Sequence, residues 1–67
     1  MTDVARVTEI SARSDESFED AIDAGIARAT ETLRNVTSAW VKEQQVKVEG
    51  GTVVEYQVNL LVTFVLE

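Results

Sequence analysis

From Val53 to Leu66 the chain alternates without interruption. Tyr56, Val58, Leu60, Val62, Phe64 and Leu66 share one face, and Glu55, Gln57, Asn59, Leu61, Thr63 and Val65 share the other. This proline-free run of about 14 residues reads as the central strand of a sheet, covered on its even-numbered side. The odd-numbered side is only half polar, with Leu61 and Val65 set among amides and Thr63. Whatever covers the even face, the other face is left mixed.

The remaining elements follow from the same kind of reading. Val4 to Ile10 is rich in β-branched residues and predicts a first strand. Ser11 to Ser14 breaks that pattern, and Ser14 suits a helix N-cap. Asp15, Glu16 and Glu19 follow where the helix dipole favours carboxylates, and Arg28 and Arg34 stand towards the other end. Phe18, Ala21, Ile22, Ile26, Ala29, Leu33 and Val36 fall in an arc about 140° wide at 100° per residue. They predict one amphipathic helix from about 15 to 34, with Gly25 inside the apolar arc where the sheet would approach closely. Asn35 to Ser38 makes the exit loop, a second strand runs from about Ala39 to Glu49, and Gly50-Gly51 turns a hairpin into the third. The expected fold is α+β: a β-α-β-β chain with a three-stranded antiparallel sheet in order 1-3-2 and one helix on one face. With no linker or repeat, residues 1–67 make one domain.

Size is the difficulty for such a fold. Ordering 67 residues opposes folding by roughly 100 kcal/mol, at about 1.5 kcal/mol each, and a core this small barely offsets it. Disulfides and Cys/His metal sites are excluded, because the chain has no cysteine and no histidine. Oligomerisation is the remaining physical solution, and the mixed sheet face is where it would act. Twelve acidic against six basic residues argue against a nucleic-acid partner. The longest apolar run, Leu60-Leu61-Val62, is far short of a membrane span, and no signal-peptide pattern opens the chain. A cytoplasmic protein is the expectation.

Little here supports catalysis. Glu16, Glu19, Asp20 and Asp23 crowd the helix start, but they lack the spacing of a cation-binding loop and read as a solvated face. No nucleophile–base pair can be assembled without histidine or cysteine. Trp40, the single tryptophan, serves either as a packing anchor or as a stacking platform for a planar ligand. Gln57 points away from the helix and both donates and accepts, which suits either an interface amide or the edge of a heterocycle. Gln44 and Gln45 on the neighbouring strand share that ambiguity.

Several segments resemble the dodecins. They are Arg6 to Ile10, Ser14 to Ile22, Ala27-Arg28-Ala29, Thr32 to Val36, Tyr56-Gln57-Val58 and Val62 to Glu67. The resemblance covers essentially the whole chain without gaps. It implies hollow homododecamers of β-α-β-β subunits whose sheet partly wraps the helix. It also implies flavins (riboflavin, FMN or FAD) held in pairs at subunit interfaces. In that pattern a Trp at the start of the second strand stacks on the ring, and the Gln of a Tyr-Gln motif bonds its polar edge. Gln57, preceded by Tyr56, fits. The stacking position, however, holds Ser38, and Trp40 falls two residues later, about 7 Å along the strand.

The expected function is therefore a non-catalytic flavin-binding shell for storage, sequestration or photoprotective quenching. Gln57, Trp40, Ser38 and Gln44 are its candidate ligand-binding residues, and no metal ligands are assigned. The alternative is a dodecameric assembly without flavin that holds cations or another small ligand.

Overall fold

The computed structural model describes residues 2–67. Its elements are β1 (Ala5–Ser14), α1 (Phe18–Thr32), β2 (Val36–Glu49) and β3 (Thr52–Val65). The three strands form one antiparallel sheet in the order β1-β3-β2, as the sequence predicts. Gly50 and Gly51 close the β2–β3 hairpin with φ of 59° and 78°. A two-residue turn of that kind needs a positive φ at both central positions.

The even face of β3 is the core. Val58, Leu60 and Val62 are fully buried, together with Ala21 of α1, and Ala29 is nearly so. Ile10, Ala12, Phe18, Ile22, Ile26 and Leu33 pack around them. The helix sits mainly on β1 and β3 and scarcely meets β2. Its tight seat depends on Gly25, where an added Cβ would lie 3.0 Å from Leu60 Cδ1 and 3.1 Å from Ala12 Cβ. Close approach of the sheet is thus the reason for a mid-helix glycine. At the helix start, Phe18 meets Tyr56 edge-on, with ring centroids 5.1 Å apart.

Three local expectations are corrected. First, β1 does not break at Ser11 but continues through Ser14, with Thr8, Ile10, Ala12 and Ser14 turned inward and Ser11 and Arg13 outward. Small and polar residues fit a strand whose outer face is open to water, so their composition hid the continuing alternation. Second, the helix N-cap is Ser17, whose hydroxyl accepts from the Asp20 N–H at 3.0 Å. Ser14 is instead a buried strand end that gathers the turn: its Oγ donates to Asp20 at 2.7 Å and accepts from the Glu16 N–H at 2.9 Å. Third, the helix ends at Thr32, and no basic residue lies in its last turn. Asn35, with φ of 62°, reverses the chain, and β2 begins at once with Val36. Arg34 therefore lies outside the helix, 3.9 Å from Glu67.

The β2–β3 hairpin outruns β1, whose pairing stops at Ser14–Tyr56. Its tip carries exposed Val48, Val53 and Val54 beyond the end of β1, and exposed Val46 lies opposite Tyr56 at the last β1 pairing. The molecule is accordingly long and thin, 52 × 19 × 14 Å. No helix among the described residues is long and apolar enough to cross a membrane.

Candidate functional site

The uncovered face of the sheet is built from β3's odd residues and their partners on either side. Thr63 lies opposite Val7 and Ser38, Leu61 opposite Glu9 and Trp40, Asn59 opposite Ser11 and Glu43, and Gln57 opposite Arg13 and Gln45. The face therefore has two halves. Around Leu61 it is mixed, with Trp40 69% exposed on one side and Glu9, paired with Lys42, on the other. Around Gln57 it is a connected polar network.

Gln57 is the hub of that network. Its Oε1 accepts from Arg13 Nε and from Gln45 Nε2, each at 3.2 Å. Its Nε2 donates to Ser11 Oγ at 3.0 Å and to Asn59 Oδ1 at 3.3 Å. Asn59 in turn donates to Glu43 Oε1 at 2.7 Å. An amide has two donor hydrogens and two acceptor lone pairs, so all four are engaged. Arg13 also stands 3.8 Å from Glu55, and Lys42 reaches across β3 to Glu9 at 3.1 Å.

Register decides which glutamine joins the hub. Counting back from the Gly50-Gly51 turn, Gln44 would face Gln57. A bulge between Lys47 and Val48 shifts the ladder by one, so Gln45 faces Gln57 and Gln44 faces Val58 on the helix side. Gln44 is thus removed from the open face, and Gln45 takes the place foreseen for it. A second bulge, between Val41 and Glu43, restores the original count, so Trp40 does lie on the open face.

Ser38 and Trp40 share that face, as their two-residue spacing implies. Within one subunit, however, neither is a neighbour of Gln57. Trp40 is opposite Leu61, four residues along β3 and about 13 Å away by strand rise. The hub residues missed from the sequence are Ser11, Arg13 and Asn59, while Gln45 is read there only alongside Gln44. The period-two alternation of β1, followed through Ser14, would have placed the first two beside Gln57.

This fold has known counterparts. The Dodecin family model matches residues 4–67. The chain belongs to the dodecin family. A dodecin of Thermus thermophilus is 42% identical over 67 residues, spanning 100% of this chain and 97% of its own. Among solved dodecins, that of Streptomyces davaonensis superposes with a TM-score of 0.92 at 34% identity, covering 100% of this chain and 98% of its own. A calcium-chelating calcium dodecin from Mycobacterium tuberculosis, with its own calcium-binding site, is more distant. It has a TM-score of 0.82 at 28% identity over 96% of this chain and 91% of its own. Dodecins are small-ligand-binding proteins without catalytic activity.

Proposed function

We propose that this dodecin assembles as a homododecameric shell in the cytoplasm. There it holds flavin (riboflavin, FMN or FAD) at contacts between copies, sequestering it and quenching its photochemistry. The observation that carries the reading is Gln57, an amide on an uncovered sheet face whose donor and acceptor are engaged by exposed side chains that a ligand's edge can replace. Such an amide fits the edge of a heterocycle that alternates N–H and C=O groups. Trp40 on the same face supplies an exposed indole for the ring's flat side, and its distance from Gln57 means that the two complete a pocket only when a second copy contributes one of them.

The need for further copies has independent support. Val7, Trp40 and Leu66, with the valines of the hairpin tip, are exposed hydrophobics on a chain whose described residues include five fully or nearly buried apolar side chains. Such a surface on a core of that size calls for burial by association. The alternative, cation-holding shell would need carboxylates from several copies. Among the described residues of one chain, no group of three or more acidic side chains is placed to hold an ion.

The test is twofold. Light scattering after size exclusion should give the mass of twelve chains, and a mass near one or two would overturn the shell. Riboflavin fluorescence should be quenched at micromolar protein. Colourless protein that leaves the emission intact would remove the flavin.

A further inference from the structure

The structure assigns Arg13 a role in positioning the amide of Gln57, so that the donor of Gln57 is aimed along β3 towards Asn59 and the Trp40 end of the face. A glutamine amide is nearly symmetric in shape, and its polarity is set by what surrounds it. Two of the four neighbours of Gln57 leave that polarity open: Ser11 both donates and accepts, and the amide of Gln45 can turn to present either atom. Asn59 works with Arg13 from the opposite side, because its Nδ2 donates to Glu43 at 2.7 Å and its Oδ1 is thereby turned to Gln57 Nε2. Arg13 has no acceptor and cannot lose its proton, so only an oxygen is tolerated beside it.

With Arg13 Nε 3.2 Å from Oε1, the Nε2 group must face the other way, and it does, bonding Ser11 and Asn59. Glu55, 3.8 Å from the same Arg13 Nε, steadies the guanidinium from the hairpin side. A ligand edge that takes the place of Ser11 or Asn59 beside Nε2 therefore meets an N–H donor. The site selects a ligand that offers a carbonyl or ring-nitrogen acceptor there, and disfavours one that offers a second donor. The ligand class rests on the flavin reading above, whereas the orientation of Gln57 does not.

Two measurements on the assembled protein separate these levels. The first is ligand-free: crystal structures of the parent and of Arg13→Met. In the variant the Gln57 amide, left with Asn59 as its one fixed partner, should spread over several rotamers. A Gln57 that keeps its parent orientation and partners overturns the proposal. The second is a titration of riboflavin and of FMN into the parent, Arg13→Met, Arg13→Lys, Gln57→Ala and the Arg13→Met/Gln57→Ala double variant.

Arg13→Met should weaken both flavins alike, by about tenfold, and Arg13→Lys, which keeps a donor-only cation, should restore most of that loss. In the Gln57→Ala background, Arg13→Met should change affinity by less than about twofold, because its effect passes through the amide. A loss confined to FMN would show Arg13 meeting the phosphate instead. A loss that persists without Gln57 would likewise overturn the proposal. Should Arg13→Met fail to assemble, Arg13→Gln takes its place in both measurements, since its amide presents either polarity and no longer dictates that of Gln57. If the parent binds neither flavin, the ligand reading falls, and the crystal structures alone decide the role of Arg13.

Discussion

Gly25 and Leu60 meet at the closest approach of helix and sheet: a methyl group on Gly25 would lie 3.0 Å from Leu60 Cδ1. Relief would require either the Leu60 side chain or β1 to move. Leu60 is fully buried, and the second obstacle, Ala12 Cβ at 3.1 Å, is fixed to the strand backbone. Alanine at position 25 would gain about 1 kcal/mol of helix propensity, but overpacking typically costs about 1–3 kcal/mol. Gly25→Ala should therefore destabilise the protein by about 1 kcal/mol net, and Gly25→Leu by far more. Denaturant midpoints measure both, and a stabilised Gly25→Ala would show that the helix can lift without loss.

The two serines before the helix differ in what they hold. Ser14 is 8% exposed, and its hydroxyl serves Asp20 and the Glu16 N–H, whereas Ser17 caps a single exposed N–H. Removing the buried hydroxyl leaves part-buried groups unpaired, at about 1–3 kcal/mol, against about 1 kcal/mol for a lost cap. Ser14→Ala should thus unfold at lower denaturant than Ser17→Ala. Equal midpoints would place the two hydroxyls on the same footing.

Asn35 carries the chain out of the helix in the left-handed region, and its Nδ2 donates to Glu67 at 3.0 Å. A β-branched side chain is strained there by about 1–2 kcal/mol, while glycine is free of that strain. Asn35→Val should lower the melting temperature and Asn35→Gly should leave it nearly unchanged.

Gln57→Ala separates binding from folding. Its four hydrogen bonds lie on an exposed or part-buried face where water replaces them, so unfolding should shift by less than about 1 kcal/mol. Flavin affinity, by contrast, should fall about tenfold to hundredfold, since the ligand's edge is left unpaired away from water. A large stability loss in riboflavin-free protein would make Gln57 a structural residue.

Trp40 should behave differently. At 69% exposure it contributes little to a lone chain, so Trp40→Ala should act on association, by about 3 kcal/mol or more where assembly buries the ring. Trp40→Phe should keep the assembly and reduce flavin affinity and quenching together by about tenfold. Light scattering and riboflavin titration of both variants check this. Unaltered binding by Trp40→Phe would remove Trp40 from the pocket.

Much of this was legible from residue order. The alternation of β3 and the apolar arc of α1 are long periodic signals, and they carried topology, strand order and the facing of Gln57. Side-chain volume at Gly25 was readable too, because only a close neighbour justifies glycine in that arc. The partners of Gln57 were harder to read. Ser11 and Arg13 look like loop residues by composition, and only the period-two alternation carried on through Ser14 places them on a strand. Gln45 replaced Gln44 because of one bulge, and bulges arise from ladder strain across strands, which has no single-residue signature. The helix ends shifted because Ser14 and Ser17 are equally good caps in isolation, and the choice between them depends on how deeply Ser14 is buried in the sheet.

Strand β2 is held along one edge by β3 and scarcely touched by the helix, and every residue in it after Val36 is exposed in the single chain. Its opening free energy in a lone subunit must then be small compared with that of β3. Neighbouring copies supply the rest, so amide hydrogen exchange along β2 should be slow in concentrated protein and accelerate on dilution, while β3 stays protected longer. Dilution would therefore unzip this fold from its β2 edge inward before heat or denaturant is applied.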